Sequence, residues 1–336
     1  MLALKVAREN AEHVRRILKN DGLLDASRKI VKNEEFVEFP VLSGNIRAID
    51  IDFTIVKQTS PKYRPPSLSF EEVKKTLHER LDIDTESLRG GWEKIGDILI
   101  VELPESLAGK KHEVGSQLLK LFPKSKSVVN RKAIEGTHRE PAVEVIAGEG
   151  TETIHKENYC KFKIDVSKVM FSAGNVSERQ RMAAVSNNTE TVLDMFSGIG
   201  QFCIPLAKHS RPRKVYAIEK SPVTFEFLKE NVRLNRLSNV EPILGDCREV
   251  STPAVDRILM GYFFEPEKFL PRALESLAPG GTIHFHDIVM KKDIPQRIGE
   301  LKNKIKKLGR DVEIDHHIVK SYAPMRWHIV FDLGAK

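Results

Sequence analysis

The C-terminal half of the chain alternates between short apolar runs and longer stretches whose apolar residues have helical spacing. The helical pattern is clearest at residues 222–235 and 293–308. The apolar runs predict strands at residues 191–196, 214–219, 240–245, 255–260, 281–286, 312–319 and 326–332. Short strands that alternate with helices are typical of a mostly parallel sheet covered on both faces. We therefore expect a doubly wound α/β domain at residues 169–336.

The first sixty residues have a mixed pattern. Residues 9–19 carry apolar side chains at helical spacing, and residues 36–41 alternate as a half-buried strand does. These elements predict a small N-terminal domain at residues 1–58, whose core can bury little surface by itself. The polar, proline-containing stretch 58–66 that follows is typical of a linker.

Between these two regions the pattern predicts a domain with both strands and helices. Ser69 and Glu72 have the spacing of a capping box, so we expect a helix to begin there. The elements predicted after it are a buried strand within 95–103, a helix at 113–121 and strands at 127–130, 142–146 and 159–166. This order predicts an α+β middle domain at residues 67–168.

Charge adds a candidate partner to this picture. The 336 residues carry a formal net charge of +7. Residues 120–139 contain one acidic residue, Glu135, and six basic ones, which are Lys120, Lys124, Lys126, Arg131, Lys132 and Arg139. Such a local surplus suits a nucleic-acid backbone, although a solvated basic surface is the alternative. We expect the second basic run, at residues 302–310, to be a solvated helix face.

Cysteine usage and hydropathy indicate the compartment. Cys160, Cys203 and Cys247 stand alone, so neither a disulfide framework nor a zinc site is expected. We find no signal peptide and no apolar run of membrane-spanning length. These observations predict a cytoplasmic protein, which we expect to be a monomer without a metal.

The candidate chemistry lies where the predicted parallel strands end. Gly198 and Gly200 follow the first strand, Glu219 ends the second and Asp246 follows the third. Ligands of open α/β sheets bind at this edge, where a carboxylate can hold ribose hydroxyls. A nicotinamide cofactor is disfavoured because Cys203 occupies the place of the third glycine in its motif.

The ordered set of Asp194, the two glycines, Glu219 and Asp246 resembles the class I methyltransferase superfamily. This resemblance implies a Rossmann-type sheet and S-adenosyl-L-methionine (SAM) as cofactor. Residues 171–179, with the sequence Phe-Ser-Ala-Gly-Asn-Val-Ser-Glu-Arg, narrow it to two related groups. They resemble the tRNA (guanine-37) N1-methyltransferases and, equally, the wybutosine-pathway aminocarboxypropyltransferases. Residues 20–25, 148–150 and 155–158 extend the similarity over nearly the whole chain.

The resemblance also implies which residues form the SAM pocket. They are Ser172, Arg179, Asp194, Phe196, Gly198, Gly200, Glu219, Asp246, Cys247, Met260, Gly261 and Tyr262. Arg179 is expected to pair with the SAM carboxylate, because a guanidinium can do so bidentately.

No catalytic acid or base can be assigned. His284 and His286 could be a base or a metal pair, but two histidines on a strand are more often packing residues. Tyr262 and Phe263 could stack on the base or belong to the core.

The end of the fourth strand distinguishes the two groups. The N1-methyltransferases carry an Asn-x-Pro type motif there, whereas this chain has Met260-Gly261-Tyr262. This tripeptide resembles the aminocarboxypropyltransferases, unless Met260 merely ends a buried strand. The implied reaction is transfer of the 3-amino-3-carboxypropyl group of SAM to C7 of 4-demethylwyosine at position 37 of tRNA(Phe), with the anticodon arm and the tRNA body as partners. The alternatives are a guanine-37 N1-methyltransferase and a non-catalytic tRNA-binding protein.

Overall fold

The computed structural model describes residues 1–44, 46, 49–63, 68–86, 88, 91–135 and 140–335. They form two compact units, Met1–Val73 and Lys74–Lys336. No helix in these ranges is long and apolar enough to span a bilayer.

The first unit is an antiparallel sheet with one helix. Its elements are β1 (Leu2–Ala7), α1 (Ala11–Asn20), β2 (Val31–Lys32), β3 (Phe36–Pro40) and β4 (Thr54–Lys57). The strand order is β2-β3-β1-β4. Val14 and Leu18 of α1 share a core with Leu4 and Phe39 of the sheet. The helix and β3 agree with the sequence pattern, which did not predict β1.

Part of the stretch expected to be a linker is packed on the first unit. The Gln58 backbone N–H donates to the Met1 carbonyl at 2.8 Å, and the Lys29 N–H donates to the Lys62 carbonyl at 2.7 Å. The buried Arg28 side chain donates to Gln58 Oε1 at 3.0 Å. The linker prediction is therefore wrong for residues 58–63, because these hydrogen bonds tie them to the sheet; residues 64–66 lie outside the described ranges.

The capping box forms as the sequence predicted. The Ser69 N–H donates to Glu72 Oε2 at 2.7 Å, and the Glu72 N–H donates to Ser69 Oγ at 3.2 Å. The helix that follows is α2 (Phe70–Leu81). Beyond it come β5 (Glu93–Ile95), β6 (Ile98–Val101), α3 (Lys111–Leu121), β7 (Ser127–Glu135), β8 (Glu140–Gly148), β9 (Glu152–Glu157) and β10 (Cys160–Asp165).

The middle sheet has the order β5-β6-β7-β8, and β9 pairs with β10 as a separate hairpin. The apolar core of the middle sheet is continuous with that of the C-terminal region. Ile98 and Val129 of the middle sheet belong to the same apolar cluster as Phe162 and Val192. The two predicted domains therefore share one buried core within the second unit.

The C-terminal sheet has seven strands. Its elements are α4 (Val176–Met182), β11 (Thr191–Asp194), α5 (Cys203–His209), β12 (Lys214–Glu219), α6 (Pro222–Leu234), β13 (Val240–Leu244), β14 (Val255–Met260), α7 (Leu270–Ser276), β15 (Leu277–Val289), α8 (Ile294–Lys307), β16 (Val312–Ala323) and β17 (Arg326–Ala335). The order is β13-β12-β11-β14-β15-β17-β16, with the first five strands parallel. The chain reverses its course across the sheet between β11 and β14, which is where such folds bind ligands.

The predicted Rossmann-type fold is confirmed. The strand positions agree closely for β12 and β14, while β15, β16 and β17 are longer than predicted. The reason is that β17 pairs antiparallel with both β15 and β16 along most of their length. Polar residues extend these strands because they pair with residues of the neighbouring strand, and a pattern read along one segment does not show that pairing.

Candidate active site

A cavity of about 570 Å³ opens at the carboxyl ends of β11, β12 and β14. We call it the strand-end cavity. Seven of the residues predicted to bind SAM line it, namely Phe196, Gly198, Glu219, Asp246, Cys247, Gly261 and Tyr262. Lining residues that the sequence analysis missed include Met170, Gln201, Ser221, Arg248 and Phe269. Ser221 could have been found, because it lies two residues after the second strand and caps α6.

Glu219 is held rigidly at the end of β12. Its Oε2 accepts from the Gly198 N–H at 2.9 Å, and its Oε1 accepts from the Ser221 N–H at 2.7 Å. Gly198 has φ +55°, a conformation that favours glycine. The loop after β11 is thus fixed against the carboxylate. Each carboxylate oxygen has a further lone pair, so Glu219 can also accept from two hydroxyls.

Gly200 is required for close packing beneath the same loop. It has φ +95°, and a Cβ atom at this position would lie 2.4 Å from Ile204 Cδ1. Asp194, which precedes the loop, is buried behind it and does not line the strand-end cavity. Asp194 Oδ1 accepts from the Phe196 N–H at 3.3 Å. Both residues therefore shape the loop from beneath.

The ionisation of the two aspartates differs. Burial raises the pKa of Asp194 to about 7, and the nearby Glu219 charge adds to this. At the cavity rim, the Arg248 guanidinium holds the pKa of Asp246 well below its usual range. Arg248 Nη2 donates to Asp246 at 2.6 Å, and Lys220 Nζ donates to it at 3.0 Å. The rim carboxylate is thus ionised near neutral pH.

An aromatic wall closes one side of the strand-end cavity. The Phe196 and Tyr262 rings are stacked with centroids 4.9 Å apart, and Phe269 meets Phe196 edge-on at 4.8 Å. Tyr262 therefore lies at the cavity rather than in the core. Met260 is fully buried in an apolar cluster and does not line the cavity, so only Gly261 and Tyr262 of the tripeptide face it.

The predicted partner of Arg179 differs from the one that the structure gives it. The Arg179 side chain is fully buried, and its Nε and Nη2 donate to the Glu157 carboxylate at 2.7 and 2.6 Å. Its Nη1 donates to the Ser172 carbonyl at 2.6 Å. Although burial opposes the shift, hydrogen bonds from Arg179 lower the pKa of Glu157 to about 2. The expected direct pairing with the SAM carboxylate disagrees with this geometry, and Arg179 instead positions the backbone at Ser172.

The strand histidines form a buried hydrogen-bonded group. His284 Nδ1 lies 2.6 Å from Asp332 Oδ1, and His286 Nδ1 lies 3.0 Å from His328 Nε2. Burial lowers the pKa of His284 and His286. Among the described residues, no three side chains of metal-ligating type are grouped as a metal site would require. The packing interpretation of His284 and His286 agrees with these contacts.

The basic stretch at residues 120–139 is partly neutralised by acidic residues from elsewhere. Arg131 Nη2 lies 2.7 Å from Glu93, and Lys132 Nζ lies 3.2 Å from Glu144. Lys120 and Lys124 are exposed, and Arg139 falls outside the described ranges. The expected surplus of charge is therefore smaller than the local sequence suggested, because its partners come from β5 and β8.

Comparison with known families divides the chain into three matching segments. Residues 153–315 match the TRM5/TYW2 methyltransferase domain. Residues 73–151 match the TYW2 N-terminal domain, and residues 3–47 match the tRNA methyltransferase 5 N-terminal domain.

Two curated relatives and one solved structure illustrate the similarity. A tRNA(Phe) (4-demethylwyosine(37)-C(7)) aminocarboxypropyltransferase from Methanocaldococcus jannaschii is 44% identical over 72% of this chain and 96% of the relative. A tRNA (guanine(37)-N(1))-methyltransferase, Trm5b of Pyrococcus abyssi, is 35% identical over 98% of both chains. The crystal structure of M. jannaschii TYW2 in complex with AdoMet superposes with a TM-score of 0.60 at 40% identity, covering 73% of this chain and 99% of that one.

Proposed function

The chain belongs to the TRM5/TYW2 family of SAM-dependent tRNA-modifying enzymes, and on that premise we propose its reaction. It transfers the 3-amino-3-carboxypropyl group of SAM to C7 of 4-demethylwyosine at position 37 of tRNA(Phe). The observation that carries this proposal is the 44% identity to a relative named for that reaction, across 96% of its length. The Met260-Gly261-Tyr262 tripeptide, which resembles the same group of enzymes, agrees with it.

The strand-end cavity fits SAM in size and in the chemistry of its lining. Glu219 offers carboxylate lone pairs to the ribose hydroxyls, and Asp246 is an acceptor for an adenine amino group. The stacked Phe196 and Tyr262 rings supply an apolar surface beside these polar groups and exclude water from that side. No protein nucleophile is required of this lining.

The choice of the transferred carbon is a matter of orientation. When bound, SAM supplies a sulfonium whose γ-methylene is attacked by C7, so that a C–C bond forms, the C–S bond breaks onto sulfur and C7 loses its proton. Gly261 leaves the wall thin at this point, where a Cβ atom would lie 3.0 Å from the Phe202 ring. Met260 stands in the place of the asparagine of the Asn-x-Pro motif, so it provides no side-chain amide to hold a guanine edge there. Positioning of the reactants accounts for most of the expected rate gain.

The proposal is tested with SAM labelled at two positions. One sample carries the label on the methyl group and the other on the carboxyl carbon, and each is incubated with tRNA(Phe) that contains 4-demethylwyosine. We expect only the carboxyl label to reach the tRNA. Transfer of the methyl label alone would contradict the proposal.

A second candidate function is N1-methylation of guanine-37. It is favoured by the 35% identity to Trm5b over 98% of both chains, which includes the N-terminal unit. The same labelled donors, supplied with tRNA that carries an unmodified guanine at position 37, separate the two reactions. Methyl label on this tRNA would support the second function.

We also propose that the protein contacts the anticodon arm and the body of tRNA(Phe), and that it acts as a monomer in the cytoplasm. The tRNA contacts are supported by the exposed Lys120 and Lys124 and by the N-terminal unit, which matches a tRNA methyltransferase domain. An isolated anticodon stem-loop should then bind more weakly than whole tRNA. Sedimentation equilibrium tests the monomeric state.

A further inference from the structure

A second cavity of about 500 Å³ lies in the Lys74–Lys336 unit, beside the strand-end cavity. We call it the lateral cavity. Trp92, which precedes β5, and Arg131 of β7 line it from the middle region, and Ser172 and Lys320 line it from the C-terminal region. Met170 lines both cavities, so a ligand in one is adjacent to a ligand in the other. Nothing in the proposed reaction has so far required this second space.

Lys320 supplies the lateral cavity with a cation whose charged form is favoured by the carboxylate of Glu93, which lines the same cavity. Its Nζ donates to Ser172 Oγ at 3.1 Å, and within the described part of the chain it forms no ion pair. Half-burial lowers the pKa of Lys320, which reflects the cost of keeping this charge there. An anion placed next to Nζ would offset that cost.

Unlike Lys320, Arg131 forms a salt bridge with a carboxylate of the chain. Its Nη2 donates to Glu93 Oε2 at 2.7 Å. The other oxygen of Glu93 accepts from the Ala173 N–H at 3.2 Å, which fixes the loop next to Ser172. Arg131 and Glu93 thus brace the cavity, and Lys320 and the exposed Lys94, which also lines it, are the cations placed to bind an anion there.

Trp92 gives the lateral cavity a flat aromatic surface. Its ring lines the cavity and lies 4.8 Å from the Phe122 ring, at an interplanar angle of 57°. Aromatic side chains of this kind bind unpaired bases by stacking, whatever the base. A carboxylate alone would use only the Lys320 end of the cavity, whereas a nucleotide would use both ends.

We propose that the lateral cavity binds one tRNA nucleotide next to the target, with its base on Trp92 and its phosphate at Lys320 Nζ. The proposal rests on the proposed function only in taking tRNA as the substrate. The cavity volume lies in the range of about 300–1,000 Å³ found for pockets that enclose small molecules. Holding a neighbouring nucleotide would fix the flipped-out target base in the strand-end cavity.

The test compares Lys320→Gln and Trp92→Ala with the exposed-lysine control Lys307→Gln, and Lys320→Arg is added as a conservative variant. We expect each of the first two to weaken tRNA binding about tenfold or more, with Kd for SAM changed less than twofold. For Lys320→Gln, the slope of log Kd for tRNA against log salt should fall by about one, because one phosphate contact is lost. Lys320→Arg should restore the slope, and Lys307→Gln should leave it unchanged.

Two results would overturn the inference. A weaker affinity for SAM with unchanged tRNA binding would mean that Lys320 holds the carboxylate of the cofactor. No change in either affinity, in variants whose thermal unfolding is unaltered, would mean that the cavity binds neither ligand. Because binding is measured separately from label transfer, failure of wild-type protein to transfer the carboxyl label would refute the proposed function without deciding the role of Lys320.

Discussion

The strand-end cavity and the lateral cavity adjoin each other but satisfy their charged groups in opposite ways. In the strand-end cavity, Glu219 and Asp246 are carboxylates already bonded to backbone and side-chain donors of the chain. In the lateral cavity, Lys320 is a cation whose hydrogen bond among the described residues goes to the Ser172 hydroxyl. The first arrangement is pre-organised for a ligand rich in hydroxyl and amino donors. The arrangement in the lateral cavity is stabilised most by an anionic ligand. We therefore expect the strand-end cavity to bind the cofactor and the lateral cavity to bind tRNA.

We expect the largest effect on SAM binding from Glu219→Ala. It removes the acceptor of the Gly198 and Ser221 N–H groups together with the expected ribose contacts. Two hydrogen bonds to a charged group are together worth about 3 kcal/mol or more, so Kd for SAM should rise at least about 100-fold. Calorimetry measures this effect. The control is Glu241→Ala, at an exposed ion pair with Lys214. A change of less than threefold in Glu219→Ala would mean that the acidic edge does not hold the cofactor.

Acid should weaken the fold behind the lateral cavity. Burial lowers the pKa of His328 to about 4, and the Lys320 charge contributes to the shift. An unfolded histidine titrates near 6.5, so between these values the unfolded chain binds more protons. The free energy of unfolding should therefore fall as the pH falls through this window, by about 2 kcal/mol from pH 7 to pH 5 for this residue.

Denaturant titration of the wild type and of His328→Gln at both pH values measures this contribution. The wild-type loss should exceed that of the variant, since only the wild type has His328 to protonate. Equal losses in the two proteins would show that His328 does not resist protonation in the fold.

The Gly261→Ala substitution tests whether the shape of the strand-end cavity positions the reactants. In Gly261→Ala, the added Cβ would lie 3.0 Å from Phe202 Cε2, so the wall has to shift. Overpacking of this kind costs about 1–3 kcal/mol, and we expect kcat to fall about tenfold through misplacement of the reactants. Gly299→Ala, where the Cβ meets no atom within 4 Å, should keep wild-type kcat. An unchanged kcat in both variants would show that Gly261 does not position the reactants.

The smallest expected effect concerns the exposed basic stretch. Lys124 is exposed, whereas Lys132 is engaged by Glu144. We expect Lys124→Gln to weaken tRNA binding about twofold at low salt, because one screened surface charge contributes little. Filter binding at low and high salt measures it. If the loss is as large as that of Lys320→Gln, the special role of the lateral cavity is not supported.

The features that could be predicted from the sequence are those set by residues close together in the chain or by the ends of successive strands. Gly198, Glu219 and Asp246 could be assigned to one edge because each follows a strand, and parallel strands end together. The capping box at Ser69 was likewise readable, since both of its partners lie within one turn.

Contacts between distant segments could not be read in this way. Arg179 meets Glu157 because β9 and β10 form a hairpin against the C-terminal core, and Lys320 reaches Ser172 across 148 residues. Side-chain partners of this kind are set by packing, which periodicity does not encode. For the same reason the lateral cavity was not anticipated, although the resemblance had already singled out Ser172.

The nucleoside that the enzyme releases from SAM distinguishes aminocarboxypropyl transfer from methyl transfer. Mass spectrometry of the small-molecule products, after a turnover with tRNA(Phe) carrying 4-demethylwyosine, identifies it. Aminocarboxypropyl transfer leaves the methyl group on sulfur, so we expect methylthioadenosine in equal amount to modified tRNA. S-adenosylhomocysteine in its place would mean that a methyl group was transferred and that the proposed reaction is wrong.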